Sequence, residues 1–296
     1  MSEDRRMTVG EILSKALNLY RENFGRWVLI VVFVRVPVWA FGWGSWIAGT
    51  ALKDVVTPPA GGGRGDSTAT GWSWVEWVTW LGGLLVAICA SGIMNGALTK
   101  SVSEAYVGNG MGVRGAYRWA WGKVGRLVGA WLVVAVVVAG GFVALVVLAA
   151  ILQSWFGVNM PAVVFVAPMV TGGIFWLWFA VTVPAIVVEG LGVRGAMGRS
   201  RFLSRGNLGR LFVLTLVVAM VGWGGSYGLS KLTVGLVERV AAEGSRIVES
   251  CRSSAAMMWV IVVMPWSAAA YTLMYYDLRV RKEGGVSNAE VERGEE

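Results

Sequence analysis

Histidine is missing from this 296-residue chain, and cysteine occurs twice. Without imidazole there is neither a histidine base nor a histidine-ligated metal. Two cysteines cannot staple a chain of this length into a disulfide scaffold. Charge is also scarce. Asp, Glu, Lys and Arg make up 15% of the residues, where soluble domains carry about 25%. From Leu127 to Val188 there are 62 residues without one charge. A soluble fold is thereby excluded, and a chain that is 56% hydrophobic is far too apolar to be disordered.

What is present is apolar length, with 17 tryptophans and 41 glycines. A helix crosses the hydrocarbon core of a bilayer with about 20 apolar residues. Six such spans are predicted, at about Trp27–Gly49, Ser73–Thr99, Leu127–Leu152, Ala162–Val188, Leu211–Leu229 and Ala255–Tyr276. Gly157, Asn159 and Pro161 divide the third from the fourth. Membrane β-strands would alternate in runs of roughly ten residues. These runs are longer and uniformly apolar, so the fold class is an all-α polytopic bundle.

Lys and Arg set the orientation. The N-terminal segment, the second and fourth connections and the C-terminal tail carry 19 of the 26 basic residues, against six on the opposite side and Arg35 within a span. Both termini are expected in the cytoplasm, in a multi-pass cell (plasma or inner) membrane protein. The net charge of +8 is accounted for by topology and calls for no nucleic acid. The first apolar stretch is too long for the core of a signal peptide and reads as a span. Pro58–Asp66 reads as a flexible loop, and its Arg64-Gly65-Asp66 triplet as chance in a glycine-rich tract.

The chain also repeats itself. Gly112-Val113-Arg114-Gly115-Ala116 recurs as Gly192-Val193-Arg194-Gly195-Ala196, and Asn23-Phe24-Gly25-Arg26 recurs as Asn207-Leu208-Gly209-Arg210. Val9, Ile12, Leu13, Ala16, Leu17 and Tyr20 form one apolar stripe at helical spacing. Thr8 with Glu11 makes a capping-box start. The same stripe recurs from Val113 and, less fully, from Val193. The expected design is three hairpins, each preceded by an amphipathic cytoplasmic helix: units at about 8–106, 112–189 and 192–284, in a single membrane domain 1–284 with a charged tail 285–296. Basic amphipathic helices lie in an anionic surface, so these are expected to ring the cytoplasmic face or to pack together as a cap there.

Few residues can carry chemistry. Arg35 lies inside the first span, two residues before Pro37. An intramembrane charge defaults to a functional hypothesis, although Arg35 is near enough to the span's end to snorkel. Glu189 and Asp277, at the ends of the fourth and sixth spans, are its candidate partners. With Arg199, Arg279 and Arg281 they form the set of candidate lipid or ion-pair contacts, and ion pairs fixing the rim are the simpler reading. Glu76 belongs at an interface. Cys89 and Cys251 are too far apart to pair. No catalytic, cofactor-binding or metal-binding residue is assigned, and no cofactor is expected. Gly92/Gly96 and Gly224/Gly228 are small-xxx-small pairs that allow helices close approach. Trp72, Trp74, Trp77 and Trp80 form an aromatic belt.

Three stretches are similar to one bacterial and archaeal family. They are Thr8–Leu13 with Tyr20-Arg21 and Asn23-Phe24; Glu189-Gly190 with Ala196, Arg199-Ser200, Leu203 and Arg205-Gly206; and the decapeptide Tyr275–Gly284. They resemble the glycerophosphoryl diester phosphodiesterase membrane domain family. The resemblance implies a membrane domain that elsewhere precedes a soluble catalytic barrel. The barrel's chemistry needs histidines, and here there are none and no room for a barrel after residue 284. The expected function is a non-enzymatic scaffold or lipid-contacting subunit. Its partners would be membrane lipids, through anionic headgroups at the cytoplasmic face, and a protein partner or second copy. The alternative is a transporter or lipid-translocating protein, favoured by prolines 37, 184 and 265 as helix breakers.

Overall fold

A computed structural model describes residues 6–56, 74–156, 161–238 and 246–283. They form α1 (Val9–Val56), α2 (Trp74–Tyr106), α3 (Val113–Trp121), α4 (Val124–Phe156), α5 (Pro161–Phe179), α6 (Thr182–Glu189), α7 (Val193–Ser204), α8 (Leu208–Val237) and α9 (Arg246–Glu283). No strand occurs among the described residues. Six stretches are long and apolar enough to cross a membrane: Val9–Gly44, Leu81–Tyr106, Val124–Trp155, Val170–Glu189, Leu208–Val237 and Ser250–Glu283. The loop with Pro58–Asp66, the turn at 157–160, Trp72 and the tail 285–296 lie outside the described residues, as do the side chains of Glu76, Trp74 and Trp80.

Most helices run past the expected span ends, because the flanking basic residues also favour helix. Consecutive spans pack as α1 on α2, α4 on α5 and α8 on α9, and α9 also packs on α1, α2, α6 and α7. The core is densest along α2 and the second half of α9, where Met94, Leu98, Val102, Leu273, Tyr275 and Leu278 are buried. Large apolar side chains such as Phe33, Val136, Trp155 and Leu232 are exposed on the outside of the bundle, the distribution expected where lipid is the solvent.

The helix starts follow the sequence closely. Thr8 N–H donates to Glu11 Oε2 (2.6 Å) and Glu11 N–H to Thr8 Oγ1 (3.2 Å), a closed capping box. The duplicated pentapeptide starts α3 and α7 alike, with Gly112 at φ −77°, ψ 158° and Gly192 at φ −73°, ψ 169°. Both helices bury the same stripe positions: Ala116 and Ala120 on α3, Ala196 and Ser200 on α7. The bends before the first and fifth spans fall at asparagine, two residues ahead of the Gly-Arg. Asn23 has φ −115°, ψ 16° inside α1, and Asn207 has φ −125°, ψ 14° as the N-cap of α8. Asn23 Nδ2 donates to the Leu19 carbonyl at 3.1 Å and Asn207 Nδ2 to the Leu203 carbonyl at 3.5 Å.

Of the three prolines expected to break helices, only Pro184 does. A proline lacks the N–H for the carbonyl four residues back, and its ring crowds that carbonyl. The fourth span accordingly ends as α5 at Phe179 and restarts as α6 at Thr182. Ser200 Oγ donates to the Trp178 carbonyl (2.7 Å) and Ser204 Oγ to the Leu177 carbonyl (3.3 Å), so α7 caps the interrupted end. Pro37 and Pro265 lie inside continuous α1 and α9. Three residues before Pro265, Tyr20 Oη donates to the Val262 carbonyl at 2.7 Å and ties α1 to α9 there.

The glycine seams are partly as expected. A Cβ on Gly92 would meet the Leu127 and Val128 backbone at 3.3 Å, and one on Gly96 the Leu127 side chain at 2.3 Å, so α2 and α4 touch there. Gly224 and Gly228 have nothing within 4 Å, whereas a Cβ on Gly225 would fall 2.0 Å from the Trp259 ring. The α8–α9 seam is thus a tryptophan laid on one glycine, with Trp259 Nε1 donating to the Val221 carbonyl at 2.9 Å. Cys89 and Cys251 are free thiols, and Cys251 belongs to α9 rather than to a loop.

Candidate functional site

Two polar assemblies stand out, one at the end of the bundle where α1 begins and α9 finishes and one beneath it. At that end, Asp277 is fully buried and accepts from three donors: Arg210 Nη2 (2.9 Å) and Arg281 Nε (2.8 Å) at Oδ2, and Met7 N–H (2.7 Å) at Oδ1. Arg210 and Arg281 also donate to the Met7 carbonyl, at 2.6 and 2.8 Å. One carboxylate therefore ties the entry to α1, the first turn of α8 and the last turns of α9.

A second knot centres on Glu189, at the C-terminus of α6. Arg199 Nε donates to Glu189 Oε1 at 2.9 Å, and Tyr275 Oη donates to the same oxygen. Arg199 also pairs with Glu283, which takes Arg279 Nε at 2.9 Å. Burial works against the Arg199 charge. The hydrogen bonds and charges of Glu189 and Glu283 outweigh it and hold the guanidinium above its ordinary pKa. Gly190 follows in the left-handed conformation at φ 67°, and its carbonyl accepts from Arg126 Nη1 at 2.9 Å.

Five of the six residues singled out in the sequence, Glu189, Arg199, Asp277, Arg279 and Arg281, meet here. Arg35 does not. It pairs with neither Glu189 nor Asp277. Its Nη2 lies 3.5 Å from Met264 Sδ, and its Nε is buried with no hydrogen-bond partner. Arg35 faces the middle of α9, where its candidate acids are absent. Arg210, Tyr275, Glu283 and Met7 complete the rim without having been singled out as contacts.

Below the rim, the break between α5 and α6 opens onto a cavity of about 520 Å³. Its walls come from α2, α4, α5, α6, α8 and α9, and the lining is largely aromatic and aliphatic, with Trp131, Trp176, Phe179 and Trp223 prominent. Asn95, Thr99, Thr182, Thr215, Ser267 and Tyr271 add uncharged hydrogen-bonding groups, and no charged side chain lines it. Tyr271 Oη donates to Thr215 Oγ1 at 3.1 Å. Thr182 Oγ1 and Trp131 Nε1 are buried and have no hydrogen-bond partner. Thr182 and Tyr271 lie six to seven residues from Glu189 and Asp277 on their helices, so this group sits about 10 Å beneath the rim. Beyond Trp223 the surface continues into a hollow of about 420 Å³ that includes Tyr227, Lys231 and Arg252.

Pro184 pointed to the break. Nothing pointed to Trp131, whose sequence neighbourhood is one uninterrupted apolar run. Neither a family model, nor a curated protein, nor a solved structure matches this chain.

Proposed function

We propose that this is a non-enzymatic, multi-pass membrane protein that holds a lipid in the cavity at the broken fourth span. The observation that carries the reading is the cavity itself: about 520 Å³, within the range of roughly 300–1,000 Å³ usual for small-molecule sites, with apolar walls and a few polar groups. The two rim carboxylates best placed for acid–base work, Glu189 and Asp277, are each engaged by cations or hydroxyls, which supports a non-catalytic reading.

The positive-inside excess supports placing the rim in the cytoplasm of a cell membrane, where its outlying arginines would meet anionic headgroups. The matched helix starts at Gly112 and Gly192 and the matched bends at Asn23 and Asn207 support three repeated hairpins. The likeness to the membrane domain of glycerophosphoryl diester phosphodiesterases agrees with a lipid-facing role. A lipid translocator is the second reading, favoured by the interrupted fourth span beside the cavity.

Purification in mild detergent followed by mass spectrometry of bound lipid tests the leading reading. A stoichiometric lipid is expected, and Ala219→Trp, which fills the cavity, should expel it. Lipid retained in full by that variant would place the lipid elsewhere. Orientation is checked on a Cys89→Ala, Cys251→Ala background. Ser67→Cys should react with a membrane-impermeant maleimide added outside cells, and Ser287→Cys should not; the reverse result overturns the topology.

A further inference from the structure

The lining chemistry restricts what the cavity can hold. Indole Nε1–H donates and cannot accept, so the buried, unpartnered Trp131 Nε1 calls for an acceptor atom. Thr182 Oγ1, also unpartnered on a residue only 2% exposed, can donate to the same acceptor or to a second one. A buried polar group left without a partner is costly, more so in hydrocarbon than beside water. No cation lines the cavity, so a phosphate or carboxylate placed there would be desolvated without a counter-charge. Arg35 does not supply one: it is not among the lining side chains, and its guanidinium rests against Met264 Sδ; Lys231 and Arg252 belong to the separate hollow beyond Trp223. The remaining walls are aromatic rings and aliphatic carbons suited to hydrocarbon.

Resting on the lipid-holding reading above, we infer that the ligand is an uncharged ester lipid, bound with a carbonyl oxygen at Trp131 Nε1 and Thr182 Oγ1 and its chains along Trp176 and Trp223. The carbonyl is the acceptor that the indole needs, and an ester brings it into hydrocarbon without charge. Binding uses only the chain's own hydrogen-bond donors and apolar surface, and no bond is made or broken.

The full chain in nanodiscs would be titrated, by native mass spectrometry, with three probes: dioleoylglycerol, the dialkyl ether analogue that lacks both carbonyls, and dioleoylphosphatidic acid. Dioleoylglycerol should bind best. The ether analogue should bind about tenfold more weakly, and Trp131→Phe and Thr182→Val should each weaken dioleoylglycerol by about three- to tenfold while leaving the ether analogue unchanged. Equal binding of ester and ether, or preference for phosphatidic acid, overturns the assignment of ligand class. A diazirine-bearing diacylglycerol, crosslinked to the unmodified protein, separates that failure from failure of the cavity reading. Crosslinks on the Trp131, Trp176 or Trp223 peptides keep the cavity as the lipid site. Crosslinks confined to other helices, or no binding of any probe, overturn both.

Discussion

Asp277 and Thr182 are both buried polar residues of one bundle, yet their surroundings differ in kind. Three donors, from the segment before α1, from α8 and from α9, converge on the Asp277 carboxylate. The Thr182 hydroxyl, at the broken span, has no partner at all. Even at the rim the match is incomplete, since Arg210 Nε is buried and unpartnered while its Nη2 bonds twice. The contrast follows from what each group would lose. An unpaired ion in a low-dielectric setting costs several kcal/mol, a lone hydroxyl about 1–3. The rim carboxylates are therefore tied to arginines, whereas hydroxyls and indoles can be left for a ligand. The rim is read as structure and the cavity as function on that ground.

The largest effect is expected at the rim. Asp277→Asn keeps the shape and removes the charge that holds Arg210 and Arg281. It should lower unfolding stability in detergent by about 3–5 kcal/mol, as breaking a buried pair does. A loss under about 1 kcal/mol would show that water reaches this end and that the ion pairs only decorate it. Next comes the seam between α8 and α9. Gly225→Ala places a methyl where Trp259 lies and should cost about 1–3 kcal/mol. Gly224→Ala, with open space, should be neutral or stabilising by up to about 1 kcal/mol. Both are read from chemical or thermal melts of the purified protein.

A sharper comparison sets one hydroxyl against another. Ser200→Ala strips the Trp178 carbonyl of its donor at the interrupted helix end and should cost about 1 kcal/mol. Thr182→Val removes a hydroxyl that bonds to nothing in the protein and should cost no lipid-free stability, with a gain of up to about 1–3 kcal/mol. Equal losses in the two melts would mean that the Thr182 hydroxyl is engaged after all. The smallest effect is expected at Arg35. Its guanidinium has a thioether contact at 3.5 Å and no acid, so Arg35→Leu breaks no ion pair and should cost less than about 0.5 kcal/mol of stability. A larger loss, or loss of bound anionic lipid, would turn Arg35 into a headgroup site and favour the translocating reading.

Much of the frame was legible one residue at a time. Thr8 and Glu11 announced a capping box and made one. The repeated Gly-Val-Arg-Gly-Ala announced two helix starts with matching backbone angles. These are local features, set by backbone and side chains within one turn. Pro184 announced its break for the same reason. Pro37 and Pro265 did not break their helices, because whether a membrane helix tolerates proline depends on how its neighbours pack around it. Gly224 and Gly228 fitted a close-approach pattern, but the seam fell on Gly225, since the rotation of α8 against Trp259 is a property of the pair.

The apolar runs, the spacing of basic residues and the near absence of charge determined by themselves that this chain is a helical membrane bundle, because hydrocarbon admits few other ways to satisfy a backbone. Which charges meet was decided only by the tertiary structure. Arg35 and Asp277 are each obliged to find partners, yet helix packing gave Asp277 two arginines and Arg35 a methionine. The cavity was decided in the same way. Thr182 and Trp131 are 51 residues apart in the chain, and no local rule brings an orphaned hydroxyl and an orphaned indole to the lining of one cavity. Their shared hollow lies where the fourth span is interrupted, because helix packing and not local sequence brings six helices around that break.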